Sequence, residues 1–545
     1  MNPPIWTMAL VLAIVAPNLA GPNLVGADTV VQSWIQLGPG SSPESPARGV
    51  YGDQPASMTP TILARAIVTD HTAGCPGLVV DGRLAMKMTM RFNGGQLTHT
   101  PGSPGFSNAE RGGYPTFFVS AEATAPAVFP DGTAKATIAW GLCEAVVPSG
   151  HRTARIGDAV LKLPVAAPKR IVLIGDTGCR MARAAQQKCH DPADFPFAAV
   201  AAQAAKTKPD LIVHAGDYFY RDSDCEVPAS GQSAAHPYAE GCDNPASSAY
   251  ETWGDTFDSW NADLFYPGRK LLDAAPWVMI RGNHESCGRG ARGWFALLDP
   301  RPFDMANVTC AGGSVAGAVA GDKPVYSADF SPGYLVPAGK VNFLVHDTSY
   351  ANDIAVDATM ARNYDLDLTA LLTAMPTNAV TILVTHKPAY GMIGGSTASS
   401  GNQTEQFTFS GNASSHSVFA GGMPASVAFL LAGHIHQFEY VSFADRVHYA
   451  PQLVTGMGGD KLDRTVNPDG HSTEYAYRSK PFTVHNAVKS TTETMVTHAF
   501  SRAEFGFAVL DRRRNGYAVS VRRVDGTKAG KCTITFRPRD IVCWR

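Results

Sequence analysis

Five apolar runs in this 545-residue chain stop on residues of types that can bind metal ions. IVLIG (171–175) runs into Asp176, and LIVHAG (211–216) into Asp217, with Tyr220 three residues later. WVMIRG (277–282) ends at Asn283, TILVT (381–385) at His386, and VAFLLAG (427–433) at His434, with His436 two further on. Carboxylate, phenol, amide oxygen and imidazole are ligands for hard and borderline cations. Any one of these residues alone reads as a turn former, a cap or a satisfied histidine. The series is harder to reach by packing needs, because strand cores do not require Asp, Asn or His at their ends. The glycines before four of the residues have a use, since they let backbone approach a crowded centre.

Such residues meet only if the runs are neighbouring strands, because sites in open α/β sheets form at the carboxyl ends of strands. Helix-like stretches do alternate with the runs. PFAAVAAQAAKTK is expected to open at Pro196 behind a cap at Asp194. Aromatic-rich helices are expected through Trp253 and Trp260, a strand at VNFLVHDT and a helix at LDLTALLTAM. This alternation argues an α/β fold. Residues 28–167 differ: short β-prone runs such as TILARAIVTD, LAMKMTMRF and KATIAWGLCEAVV predict a β-sandwich domain, ended by the linker PVAAPKR. Two polar stretches, 388–425 and 459–500, read as long loops. The tail, with FGFAVLD, GYAVSVRRV and CTITF, is expected as strands of a second sheet within a domain spanning 168–545.

Taken together, GDTG (175–178), GDYFY (216–220), GNHE (282–285), VTH (384–386) and GHIH (433–436) resemble the five blocks of the calcineurin-like metallophosphoesterases. Tyr220, and glycine rather than histidine two after Asp176, are similar to the purple acid phosphatase branch. The resemblance implies a four-layer α/β/β/α sandwich preceded by an all-β, fibronectin III-like domain. It implies two metal ions, one held by Asp176, Tyr220 and His436, the other by Asn283, His386 and His434, with Asp217 bridging. It assigns His284 as proton donor to the leaving alkoxide. Anionic oxygen donors at the first site favour Fe(III), while an amide and two imidazoles suit Zn(II), Fe(II) or Mn(II). The implied reaction is hydrolysis of a small phosphomonoester by metal-bound hydroxide. A phosphodiesterase or nucleotide hydrolase would use the same site. A surface binding module with structural metals is the reading of another class, and the full ligand set plus His284 argues against it.

Formal net charge is -2, so no basic surplus points to a nucleic-acid or anionic-membrane partner. An anionic substrate must be attracted locally, and no run reads as a membrane span. Residues 1–27 read as a secretory signal peptide, which implies a secreted or periplasmic protein. Ten cysteines fit five disulfides in such a compartment. Pairing of sequence neighbours is expected: Cys75 with Cys143, Cys179 with Cys189, Cys225 with Cys242, Cys287 with Cys310, and Cys532 with Cys543. Thiolate metal ligands are the rival reading, weakened by the lack of any CxxC pair. His214, His346 and Asp347 read as structural, and Glu285 as supporting. Arg180, Arg221 and Arg289 follow ligand blocks and are candidates either for phosphate contact or for the surface.

Overall fold

The computed structural model describes residues 30–39, 60–69, 74–93, 140–182, 185–189, 191–221, 255, 257–286, 289–303, 330–351, 358–373, 375, 380–390, 393–394, 407–408, 423–463, 474–484 and 492–544. The expected signal peptide and the cysteines at 225, 242, 287 and 310 lie outside these residues. So does most of the 388–425 stretch.

Ile171, Val172, Leu173 and Ile174 are all buried, which a strand achieves only in a sheet covered on both faces. Arg170–Ile174, Leu211–His214 and Trp277–Met279 pair in parallel, with Leu173 beside Val213 and Val213 beside Val278. A second sheet holds Val341–Val345, Val380–Val384, Val427–Ala432 and Gln452–Thr455, also in parallel. The sheets face one another through an apolar seam. Leu173, Val213 and Val278 from one sheet meet Phe343, Val384 and Phe429 from the other. Alternate residues point outward. Val172, Ile212 and Trp277 pack on helical residues Val200, Phe265 and Leu271, and Leu344, Leu383 and Leu430 pack near Leu368 of the helix Ala358–Thr373. The parallel strands of each sheet therefore run their carboxyl ends to loops that neighbour one another.

The N-terminal region is all-β among the described residues, as expected, but it is not cut off from the rest at 167. Val30–Gly38 lies parallel to Trp277–Met279, with Gln36 beside Trp277. Thr61–Thr69, Trp140–Val147 and Thr89–Asn93 follow, so one eleven-stranded sheet crosses the expected boundary. Buried Arg65 stitches it: the guanidinium donates to Gln36 Oε1 at 2.7 Å, Leu297 O at 3.0 Å, Asp299 O at 2.6 Å and Glu144 Oε2 at 2.7 Å.

Three other expectations are corrected. The tail does not join the second sheet. Gly506–Arg513 pairs antiparallel with Arg170–Ile174, Val509 beside Val172, because that buried strand needs a partner on its remaining edge. Gly516–Arg523, Lys528–Phe536 and Arg539–Trp544 extend the same sheet. The stretch 459–500 is not one loop. Glu474–Val484 and Thr492–Arg502 are strands that widen the second sheet to eight. Asp194 does not cap the helix Phe197–Lys206: its carboxylate accepts the Lys188 N–H at 2.6 Å, and Pro196 occupies the N-cap. Cys75–Cys143, Cys179–Cys189 and Cys532–Cys543 are paired as neighbours.

Arg65→Ala removes the closer of the two guanidinium groups that pair with Glu144, takes the Arg65 donor from the buried carbonyl of Leu297, and leaves that of Asp299 to Arg91 alone. It should destabilise the protein by about 3 kcal/mol. Because the sheet is continuous, denaturant unfolding should shift as one transition; a separate early transition for residues 30–147 would show an independent domain.

Candidate metal centre

Asp176, Asp217 and His434 each follow a glycine at a strand end, and each has a left-handed backbone, with φ of 55°, 56° and 70°. For residues with a side chain this conformation costs free energy, and it persists where surrounding contacts hold it. Those contacts are visible. Asp176 N–H donates to Gly216 O at 3.0 Å and Thr177 N–H to Asp217 O at 3.0 Å, locking the first two blocks together. Gly433 N–H donates to His386 O at 2.9 Å, joining the fourth to the fifth. The buried Glu285 carboxylate accepts four backbone N–H groups: Gly282 at 2.9 Å, Asp217 at 3.0 Å, Tyr218 at 2.8 Å and Phe219 at 3.1 Å. It pins the second block to the third. The supporting role read for Glu285 in the sequence is this one.

The glycines are needed for space as well as for turning. A Cβ on Gly433 would stand 2.5 Å from Asp176 Oδ2, and one on Gly216 would stand 2.5 Å from His386 Nδ1.

The side chains converge. Tyr220 Oη lies 2.9 Å from Asp176 Oδ1, 2.8 Å from Asp217 Oδ2 and 2.9 Å from His436 Nε2. His386 Nε2 lies 2.9 Å from Asn283 Oδ1 and 3.1 Å from Asp217 Oδ2. His386 Nδ1 donates to Ala215 O at 2.7 Å, which turns the other nitrogen toward the cluster. His434 completes a group with Asp217 and His386, and Asp176, Asp217 and His436 form another; within each group the ligand atoms lie within 4.8 Å of one another. Asp217 belongs to both. All seven residues proposed from the sequence as ligands therefore surround one place. His284 is beside them: its backbone N–H donates to Asp217 Oδ1 at 2.8 Å, and its ring centre lies 3.9 Å from that of Tyr220.

This donor set fits a pair of cations. One phenol proton cannot serve two carboxylates and an imidazole at once. Burial, then the Asp176 and Asp217 charges, push the Tyr220 phenol well above its ordinary range, so a phenolate requires a cation beside it. Burial would lower the His386 imidazole, but Asp217 outweighs it and raises the group to about 9. His436 is raised to about 10, burial being outweighed by Asp460 and Asp463. The cluster gathers positive charge as protons, and cations would take their place.

Residues outside the ligand set take other parts. His214 bonds Thr177 Oγ1 at 2.9 Å, accepts the Gly216 N–H at 3.2 Å and stacks on Tyr218, so it is structural as expected. His346 pairs with Asp367 at 2.9 Å, and Asp347 with Arg281 at 2.8 Å. Arg221 is not on the surface: it is buried on Asp263 at 2.6 Å, and Asp263 also accepts the Tyr220 N–H at 2.9 Å. Arg289 is partly buried. Arg180 is committed to Asp460. Asp460, Asp463 and Asp263 were missed in the sequence. For Asp460 a signal existed, because QLVTGMGGD (452–460) is another apolar strand leading through glycines to an aspartate.

Residues 169–438 match the family model described as Calcineurin-like phosphoesterase. No curated protein matches the chain in sequence. Among solved structures, purple acid phosphatase PPD1 from yellow lupin (Lupinus luteus) seeds is 12% identical at a TM-score of 0.47, over 94% of this chain and 75% of that one. PhoD is 11% identical at a TM-score of 0.42, over 97% of this chain and 94% of that one. GAP50, the anchor in the inner membrane complex of Plasmodium, is 12% identical at 0.30, over 68% and 89%.

Gly433→Ala tests the crowding. The added methyl must displace Asp176, costing about 1–3 kcal/mol, and bound metal should fall while far-UV circular dichroism is kept. Full metal content in this variant would show that the close approach does not set the ligand geometry.

Proposed function

We propose that this calcineurin-like phosphoesterase, the family to which residues 169–438 belong, is an exported dinuclear phosphatase that hydrolyses small phosphomonoesters. The observation that carries the reading is the sharing of Asp217 between two candidate ligand groups in one buried cluster. The group of Asp176, Tyr220, Asp217 and His436 is rich in anionic oxygen and suits Fe(III). The group of Asn283, His386, His434 and Asp217 suits Zn(II), Fe(II) or Mn(II). Tyr220 is what favours a purple acid phosphatase-like site over other members of the family. Disulfides in the chain support export.

When bound, two cations supply Lewis acidity and positive charge that orient and polarise a phosphate ester. The chain's residues do the rest. Asp217 sets the separation of the two groups, since one carboxylate serves both. Its other oxygen accepts the backbone N–H of His284 at 2.8 Å, which fixes the main chain from which the imidazole projects. From there His284 donates a proton to the leaving alkoxide. The Tyr220 ring supports the His284 ring from one side at 3.9 Å, limiting its rotation. Nothing in the overall charge of -2 draws an anionic substrate, so attraction is confined to the centre.

Metal analysis with a visible spectrum tests the assignment. A phenolate–Fe(III) pair gives a coloured protein, and Tyr220→Phe should bleach it while the fold is kept. A colourless, fully active protein holding only zinc or manganese would remove the iron. His284→Ala should lower kcat on p-nitrophenyl phosphate by about 10²–10⁴-fold with metal content unchanged. Faster turnover of bis(p-nitrophenyl) phosphate by the unmodified protein would move the substrate class to diesters.

A further inference from the structure

The strand Gln452–Thr455 leads into a turn, GMGGD, that lies along the first ligand block. Gly458 N–H donates to Gly175 O at 3.0 Å, and Asp460 N–H to Asp176 O at 2.9 Å. A Cβ on Gly459 would stand 2.5 Å from Thr177 O, so the approach requires glycine. The turn delivers Asp460, fully buried, with Oδ2 3.2 Å from Nδ1 of His436. Arg180 grips the same carboxylate, Nε lying 3.0 and 3.1 Å from its two oxygens and Nη2 also bonding Oδ2. The guanidinium carbon is 5.1 Å from the centre of the Tyr220 ring. The loop bearing Arg180 is closed by Cys179–Cys189. Gln187 ties it to the glycine turn, accepting the Arg180 N–H at 2.8 Å and donating to Gly459 O at 2.9 Å.

We propose that Asp460, held in place by Arg180, is a positioning residue that fixes the tautomer and basicity of His436 for a cation. The inference rests on the dinuclear reading above. Nδ1 of His436 faces Asp460 at 3.2 Å and Asp463 at 3.5 Å, both acceptors, against one donor, Arg180 Nη2, at 3.4 Å. Two anionic acceptors place the hydrogen on Nδ1. Nε2 then presents its lone pair toward Tyr220 Oη at 2.9 Å and Asp176 Oδ1 at 3.4 Å, where the cation belongs. A carboxylate on the distal nitrogen holds the ring and strengthens it as a ligand. The paired guanidinium keeps that carboxylate oriented through charge-assisted bonds. One ion pair thereby touches two ligands of the same group, His436 through Asp460 and Tyr220 through Arg180.

The test is metal binding rather than turnover. Chelator-stripped wild type, Asp460→Asn and Arg180→Gln are titrated with Zn(II) alone by calorimetry, with circular dichroism as the check on folding. Wild type should show two sites. Asp460→Asn should weaken one of them by about 10–100-fold and leave the other, and Arg180→Gln should weaken the same site by less. Unchanged affinities in Asp460→Asn, or equal loss at both sites, would overturn the positioning role and leave the dinuclear centre standing. If Asp460→Asn does not fold, Arg180→Gln decides, and an unchanged profile there overturns the proposal. A wild type that binds no metal would instead remove the centre itself.

Discussion

Asp217 is the point on which the rest of the molecule depends. Its carboxylate is buried, yet it faces a phenol, an imidazole and a backbone N–H, and it belongs to both ligand groups. Burying so many oxygen lone pairs together is unfavourable without positive charge among them. Asp217, Asp460 and Asp463 raise the His386 and His436 imidazoles for this reason, and bound cations would supply the charge more strongly. The fold around the centre is arranged to hold these donors close together.

That hold comes from backbone. Three of the site residues adopt left-handed conformations, which favourable contacts elsewhere must offset. Glu285 and Asp263 do this for the second block, accepting the amides of Asp217, Tyr218, Phe219 and Tyr220. The strand-end loops also bond each other directly, 175–177 with 216–217 and with 458–460. The candidate ligands thus sit on a mesh of main-chain bonds rather than on independent loops, which is what holding a precise geometry requires.

Beneath the mesh are two sheets sharing an apolar seam, and the more distant strands matter to it. The tail strand Gly506–Arg513 covers one edge of Arg170–Ile174, the strand that delivers Asp176. Val30–Gly38 covers the edge of Trp277–Met279, the strand that leads to Asn283. Val30–Gly38 and Gly506–Arg513 therefore flank the three strands that carry the first three blocks.

The donor side chains that cluster, the strands bearing them and the α/β class were all legible in the sequence. Each depends on a pattern within about ten residues: an apolar run, a glycine, then a donor. The short disulfide loops at 179–189 and 532–543 were legible for the same reason. Edge pairing was not. Which strand lies beside Arg170–Ile174 is decided by complementary burial with residues more than 300 positions away, and no local period encodes that. The Glu474–Val484 and Thr492–Arg502 pair was hidden by polar and charged residues and by Pro481, which read as loop until a neighbouring edge accepts the strands. Arg180 and Asp460 stand 280 residues apart, each unremarkable in its own segment. Local chemistry can announce a donor, but only tertiary structure decides which second charge it will face, because that depends on which turns are brought into contact.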